Sequence, residues 1–412
     1  MIDEERKMLL KFSAYGFLKN LRFFEPFLYL FFLENGLSFF QIGVLIAIRE
    51  IFVNIFEIPT GAIADLTGRR RAMVFSFSSY ILSFLVFYLF SSFSLFVPAM
   101  ILFASGEAFR SGTHKSMIME YLDIKGMADQ QVRYYGKTRS ASRLGSALSA
   151  LLAALIVFYR GNYNVVFVAT LLPYSLDLLL MLSYPVELDG DVSDSSISFR
   201  RMLDQFKSSF SSIFSAEQMG KVLVNASMFD SLFKIGKDYL QPIIKTHATA
   251  LPILLMIKDN QSRTSILIGV VYFFIYLNSF VSSRKASDLM EKVGSLARSL
   301  NRLLWADALL FFVAGIGVII DSLIVPIISF LFFYTLYNLR KPMVVGFLGT
   351  RIQSKERATV LSIHSQLRSL FGIVIAPVFG LLADNFGIFS VLFFGGALLL
   401  LVGLTLGIST DS

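Results

Sequence analysis

The chain has no cysteine, one tryptophan (Trp305), three histidines and ten prolines in 412 residues. Without cysteine there can be no disulfide framework, no thiol nucleophile and no thiolate metal site. His114, His247 and His364 are widely scattered, which disfavours a histidine metal site, so neither metal nor cofactor is expected. Charge is scarce as well: 16% of residues are charged, against about 25% in soluble domains. There is no Asp-Asp-x-x-Asp cluster, no His-x-x-x-x-Asp pair and no serine nucleophile elbow. A membrane-embedded lipid-modifying enzyme, the reading from a different functional class, is disfavoured on that ground, and no enzymatic activity is expected. The segment Met1 to Lys11 is acidic then basic and lacks the short apolar core of a cleaved signal, so insertion is expected through the first span itself.

What is abundant is apolar. Hydrophobic residues make up 55% of the chain, Phe alone occurs 43 times, and the mean hydropathy is +0.67. So little charge cannot cover a water-facing surface of this size, and lipid is the simple alternative. A net charge of +8 is of the sign that binds nucleic acid, but the basic residues fall in short gaps between apolar runs, as in membrane proteins.

A membrane span needs roughly 20 apolar residues. Twelve candidates emerge: Ala14–Phe32, Phe39–Ala64, Ala72–Phe90, Leu95–Met119, Ser142–Phe158, Val165–Tyr184, Val222–Ile244, Ser265–Val281, Leu303–Ile320, Leu323–Leu339, Val360–Leu382 and Ile388–Ile408. The fifth and ninth are short, the seventh is polar, and the stub Ala250–Ile257 is left in an external loop. With the N-terminus inside, the alternate loops on that side hold Arg69 to Arg71, Lys125, Arg133, Lys137, Arg139, Arg143, Arg200, Arg201, Lys207 and many others. The outer loops hold only Arg160, Lys245, Lys258 and Arg263. Positive residues mark the inside, so a multi-pass plasma (inner) membrane protein with both termini cytoplasmic is expected.

Glu187 to Gly220 is the longest polar stretch and divides the chain near its middle. Its start, Glu187 to Ser196, reads as flexible linker. Phe199, Met202, Leu203, Phe206, Phe210 and Ile213 then recur at helical spacing with Arg200, Arg201 and Lys207 between them, which predicts an amphipathic helix on the inner leaflet. The expected division is therefore 1–186, a six-helix bundle; 187–220, a cytoplasmic linker; and 221–412, a second six-helix bundle. The halves also echo one another. His114-Lys-Ser-Met-Ile-Met-Glu-Tyr-Leu122 closes span four as Arg340-Lys-Pro-Met-Val-Val-Gly-Phe-Leu348 closes span ten. Gly61 to Gly68 and Gly380 to Gly387 share Gly-x-x-Ala-Asp-x-x-Gly on opposite faces, as an inverted repeat would leave them.

The segment Glu57-Ile-Pro-Thr-Gly61-Ala-Ile-Ala-Asp65-Leu-Thr-Gly68-Arg69-Arg70-Arg71 resembles the loop between spans two and three of the major facilitator superfamily, whose pattern is Gly-x-x-x-Asp-x-x-Gly-Arg-Lys/Arg. The matches are Gly61, Asp65, Gly68, Arg69 and Arg70. On physical grounds Gly61 permits close helix approach and Gly68 a tight reversal. Asp65 can accept charge-assisted hydrogen bonds or face a helix N-terminus. The resemblance, which extends to topology over the whole chain, implies an all-α fold of twelve transmembrane helices in two six-helix bundles related by a pseudo-two-fold axis. It implies a gate for the loop residues, latching the halves. It also implies that spans one, four, seven and ten line a central cavity. Drug antiporters of the family carry Gly-Pro in span five. Here that span reads Arg143-Leu-Gly145-Ser-Ala-Leu-Ser-Ala, small residues suited to close packing but without Gly-Pro, which lowers an efflux reading.

An ion at the bilayer centre costs at least ~2.5–3.5 kcal/mol, so each one in a span is a functional candidate. Glu25, Glu50, Glu57 and Glu107 are the candidate proton or coupling carboxylates. Lys19, Arg22, Arg49, Arg110, Asp230, Lys234, Tyr334, Asn338, Gln366 and Arg368 are the candidate cavity residues. Helical spacing places Glu50, Asn54 and Glu57 on one stripe, and Glu107, Arg110 and His114 on another. Asp230 and Lys234, one turn apart, could neutralise each other. His114 is expected at a solvated inner end, and Asp307 is expected to reach water. Asp177, in an outermost span, has no role in this reading. The sequence thus points to a secondary transporter, expected to be monomeric, that moves a small polar or charged solute by alternating access with proton or other ion coupling. A proton-coupled drug or metabolite efflux antiporter is the alternative. Its expected partners are the solute, the coupling ion and the bilayer, not nucleic acid.

Overall fold

The computed structural model describes residues 2–190, 217–248, 256–257, 259–292, 295–349 and 357–408. The amphipathic helix expected over 199–213 lies outside the described residues, as does most of the stub 250–257. Among the described residues there are fifteen α-helices and no strand. They are α1 (Ile2–Leu18), α2 (Leu28–Glu34), α3 (Phe39–Thr67), α4 (Arg69–Leu89), α5 (Phe93–Arg110), α6 (Thr113–Ile124), α7 (Gln131–Arg160), α8 (Val165–Leu182), α9 (Glu217–Gly236), α10 (Leu240–Ala248), α11 (Asn260–Lys292), α12 (Leu296–Ile319), α13 (Ile324–Gly349), α14 (Arg357–Phe386) and α15 (Ile388–Thr405).

These helices account for all twelve candidate spans, three of them in two pieces: α1 with α2, α5 with α6, and α9 with α10. The fifth and ninth spans, short by hydropathy, are full-length helices once their polar inner turns are included. Nine helical segments among the described residues are long and apolar enough to cross a membrane. The first, seventh and tenth spans are not among them. The first and seventh are cut into shorter helices, and α13 carries Tyr334, Tyr337, Asn338, Arg340 and Lys341 in its second half.

The chain forms two compact units. The first comprises Met1–Asn35, Ile48–Phe199 and Gln261–Phe273; the second comprises Gly36–Ala47, Arg200–Asn260 and Phe274–Ser412. In the first unit α1 packs on α7, and α4 packs on both α5 and α8. In the second α9 packs on α14, and α12 packs on both α13 and α15. Each pairing of the first unit reappears six spans later, so the six-plus-six echo in the sequence is an architectural repeat.

The α1–α7 contact explains the small residues of span five. A Cβ on Gly145 would lie 2.4 Å from the Phe17 carbonyl oxygen, and one on Gly16 would lie 2.5 Å from that of Thr138. Backbones approach this closely only where side chains are missing.

Aromatic rings fill the first unit's interior: Phe24, Phe31, Phe84, Phe87, Phe96, Phe103 and Phe167 are in mutual edge or stacked contact. The second unit's core is built around Leu223, Leu300, Met343, Phe347 and Ile363. Meanwhile Leu404 is 75% exposed and Leu172 68%. Large side chains left outside while polar ones go in is the pattern expected when the outer solvent is lipid.

Two helices begin in one unit and continue in the other. The first turns of α3 belong to the second unit, where the Phe39 and Phe40 N–H groups donate to Asp384 Oδ1 and Oδ2 at 2.9 and 2.8 Å. The first turns of α11 belong to the first unit, where Gln261 Nε2 donates to Glu34 Oε1 at 2.7 Å. Asp384, from the second sequence echo, therefore caps a helix N-terminus.

Candidate functional site

The site begins where helices stop. α1 ends at Leu18, and the chain turns irregularly until the short 3-10 turn Glu25–Phe27. Pro26 stands in the first turn of the next helical element, where its missing N–H is tolerated, and so sets where the helix restarts. Asn20 Nδ2 donates to the Gly16 carbonyl at 2.7 Å, so the broken end is satisfied locally. Lys19, Arg22 and Glu25 all lie on this interruption. The second break separates α5 from α6. Ser111 is extended and Gly112 has φ +80°, a conformation glycine adopts without strain. The third falls at Lys237–Tyr239, between Gly236 and a first turn of α10 that contains Pro242.

Within the first unit, three donors converge on one oxygen. Glu107 Oε1 accepts from Arg22 Nη2 at 2.8 Å, from Arg110 Nη2 at 3.2 Å and from the Tyr80 hydroxyl at 2.5 Å. Arg110 Nε also donates to the Tyr80 hydroxyl at 3.2 Å. The ion-paired side chains are 16–26% exposed, so they sit deep but remain reachable. Lys19 lies over the Tyr15 ring, its Nζ 5.6 Å from the centroid. Lys19, Arg22 and Arg110 against Glu107 give this pocket an excess of positive charge. Beside it, a small apolar recess of about 20 Å³ is lined by Phe24, Leu28, Arg49, Phe84, Phe87, Met100, Phe103 and Phe167. Tyr80 touches Phe84 and Phe103, so recess and charged cluster share a wall.

The other predicted residues are placed as follows. Glu50 is buried and accepts from Arg49 Nε and Nη2 at 3.1 and 2.8 Å. Glu25 acts electrostatically on Arg22. Glu57 lies further along α3, where its carbonyl accepts from Thr60. In the second unit Asp230 Oδ2 is 3.7 Å from His364 Nε2, and Lys234 sits in the last turn of α9. Asn338 donates to the Tyr334 carbonyl in its own helix, and Arg368 donates to Ser365 Oγ. Gln366 is buried, as is Tyr334, whose ring packs on Phe233.

The structure corrects several expectations. His114 does not continue the stripe of Glu107 and Arg110, because the Ser111–Gly112 break reorients the chain. Nor is it solvated: it is buried, stacked on Tyr15 and within 3.1 Å of the Tyr184 hydroxyl. Asp307 does not reach water; it is 1% exposed, with no hydrogen-bond partner on either oxygen among the described residues. Of the segment Glu187–Ser196 read as flexible linker, 191–196 lie outside the described residues; its first residues belong to the 3-10 turn Val186–Asp189, where Asp189 accepts from the Arg70 N–H at 2.7 Å, capping the beginning of α4.

Of the loop residues, Arg69 pairs with Glu120 at 2.8 Å, and Arg70 contacts the Asp189 carboxylate and the Tyr184 carbonyl. Gly68 immediately precedes α4 with φ +100°. Gly61 and Asp65 lie within α3, and their side-chain positions are outside the described residues.

Sequence reasoning passed over Tyr80, Arg340 and Asn225. Tyr80 is the one hydroxyl in the aromatic stripe Phe77, Tyr80, Phe84 and Phe87 of α4, a signal that could have marked it. Arg340, read as a loop cation, is 1% exposed; it donates to Asn225 Oδ1 and covers the Phe229 ring at 4.1 Å.

A bundle of apolar helices, several broken around buried ions, is the architecture of a membrane transporter. Comparison with known proteins gives its family: the Major Facilitator Superfamily pattern matches residues 12–412, and the chain belongs to that superfamily. It is therefore a multi-pass membrane transporter of small solutes and not an enzyme. One curated relative, an uncharacterized MFS-type transporter, YxaM, of Bacillus subtilis (strain 168), is 26% identical over 136 residues, which is 33% of this chain and 34% of that protein. The matched stretch thus spans about a third of the relative. Among solved structures, the nucleoside transporter NupG superposes with a TM-score of 0.76 at 11% identity, covering 97% of this chain and 98% of that one. A D-xylose-proton symporter superposes with a TM-score of 0.67 at 14% identity, covering 98% and 97%. Likeness at such low identity is likeness of fold.

Proposed function

We propose that the protein carries a small organic anion, or a zwitterion bound through its acidic group, by alternating access with proton coupling. The observation that carries this reading is the convergence of Arg22 and Arg110 on Glu107 beside Lys19. A solute carboxylate or phosphate can take over the guanidinium groups that Glu107 now holds, since both present the planar donors such anions prefer. The broken helices leave backbone polar groups beside the charges, as in other carriers with discontinuous helices.

In this reading Gly61, Asp65, Gly68, Arg69 and Arg70 form the gate, supported by the match to the family loop and by the ion pairs of Arg69 and Arg70. The bundles are those of 1–186 and 221–412, and the location is the plasma membrane with both termini inside, supported by the asymmetry of Lys and Arg between loops. Proton coupling is supported by buried carboxylates and by a fold that also serves a proton symporter.

The test is uptake into proteoliposomes of labelled lactate, glutamate, benzoate and phosphate, with xylose and spermidine as neutral and cationic controls, with and without an imposed pH gradient. Anion accumulation that needs the gradient and fails in Arg110→Gln is expected. Preferential uptake of xylose or spermidine would overturn the anion assignment, and indifference to the gradient would overturn proton coupling.

A further inference from the structure

α8 presents Thr170, Tyr174, Asp177 and Met181 on one buried face, spaced three or four residues apart as one side of a helix requires. Three of these are ordinary interior residues. Asp177 is not. It is 0% exposed, and neither carboxylate oxygen has a hydrogen-bond partner among the described residues. A purely structural acid is not expected in that condition, because buried polar groups that hold a fold together are hydrogen-bonded.

Its surroundings are electrostatic. Lys19, just past the end of α1, and Arg110 of α5 are the cations acting on it. Tyr15 of α1, Tyr174 of α8 itself and Tyr184 just beyond α8 also sense it. From α4, Tyr80 meets the Tyr174 ring, and from α6, His114 stacks on Tyr15 and reaches Tyr184. Asp177 shares its buried face with Tyr174, whose hydroxyl donates to the Lys19 carbonyl at 3.3 Å and whose ring meets that of Tyr80 in the cluster.

We propose that Asp177 is a proton-binding site that couples solute movement to a proton gradient, with Lys19 as its charge partner. The inference rests on the transport reading above and names the coupling residue within it. Protonation forms an O–H bond on the Asp177 carboxyl and removes one negative charge from beside Lys19 and Arg110. The cluster then holds an anion more tightly. Release breaks that O–H bond, passes the proton to solvent water and restores a carboxylate that competes with the anion for Lys19. One proton moves and no electrons are exchanged. Proton and anion bind together and leave together, so the coupling is symport. Glu107 is less suited to this task, since its Oε1 already accepts from two guanidinium groups and a hydroxyl.

Two measurements test this on the full chain reconstituted in liposomes. Infrared difference spectra between acid and alkaline buffer read the C=O stretch of a protonated buried carboxyl without needing the solute. Wild type should show that band, Asp177→Asn should lose the component that Asp177→Glu shifts, and any remainder belongs to Asp307, which is also buried without a partner among the described residues. Transport is read with whichever of lactate, glutamate, benzoate or phosphate the wild type exchanges. A pH step of about one unit should support roughly tenfold accumulation at one proton per anion, since one unit is a factor of ten. Asp177→Asn should bring that to about onefold while still exchanging labelled for unlabelled anion. The proposal is overturned if Asp177→Asn keeps gradient-driven accumulation, if no carboxyl band titrates in wild type, or if the substitution leaves the band undiminished. If wild type exchanges none of the anions, the anion reading fails separately, and the infrared band alone decides Asp177. Should Asp177→Asn not yield folded protein by gel filtration, the band shift in Asp177→Glu decides.

Discussion

Glu107→Gln isolates the charge at the centre of the cluster while keeping its shape. In the native protein Arg22 Nη2 and Arg110 Nη2 lie 2.8 and 3.2 Å from the same carboxylate oxygen. Their guanidinium groups are therefore held roughly 6 Å apart or less, where like charges repel by about 3 kcal/mol at an effective dielectric of about 20. Glutamine can still accept a hydrogen bond at Oε1, but it supplies no negative charge. Allowing for the partial exposure of the three side chains, about 2 kcal/mol of stability should be lost. For a unit of this size that lowers the melting temperature by about 4–8 °C. The only tryptophan, Trp305, lies on α12 in the second unit, so its fluorescence would miss the effect. Recovery of monodisperse protein from gel filtration after heating is the better assay. The informative part is rescue. An added anion should restore more of the melting temperature in Glu107→Gln than in wild type, because it replaces the missing charge. Unchanged melting, or equal rescue by a neutral solute, would refute the reasoning.

Four further substitutions probe the cluster and the packing and capping of the helices. Tyr80→Phe removes a hydroxyl that donates to Glu107 and accepts from Arg110; a loss of about 1.5 kcal/mol is expected, measured by the same heating assay. Gly145→Val pushes a side chain into the Phe17 carbonyl and should cost about 1–3 kcal/mol or more. Gly136→Ala, in an open stretch of the same helix, should be neutral or stabilising by up to about 1 kcal/mol. Asp384→Ala uncaps α3 and should lose about 1 kcal/mol, with faster hydrogen exchange at the Phe39 and Phe40 amides.

The fold was legible because it rests on long-range averages. Twenty-residue apolar runs and the placement of Lys and Arg survive errors of several residues at each end. The six-plus-six repeat could be seen in Lys115-Ser-Met117 and Lys341-Pro-Met343 before the matching helix pairs were known. The site was only partly legible, because it depends on direction. Glu107 and Arg110 were expected on one face and do meet, since both lie within the unbroken α5. Tyr80 was passed over, and Asp177 was noted but given no role, for a different reason. Each sits in a span with no other charged residue, and hydropathy reads such a span as lipid-facing bulk. Their neighbours at three- and four-residue spacing, Phe77 and Phe84 for one and Tyr174 and Met181 for the other, do indicate a face turned inward.

The misplacements share one physical cause. Spacing arguments carry an angle of about 100° from residue to residue, and that angle has meaning only while the helix continues. Between Arg110 and His114 the chain passes through Gly112 at φ +80°, so the four-residue interval no longer places them on one stripe. Between Lys19 and Glu25 there is no helix at all. Yet the ions and the breaks belong together. A charge within a membrane-spanning segment needs polar partners, and unwound backbone beside other charged helices supplies them. Pro26, Gly112, and Gly236 with Pro242 each stand within a few residues of Lys, Arg, Glu or Asp. In a chain so poor in charge, a helix-breaking residue beside an ion inside an apolar run marks a candidate site more surely than either does alone.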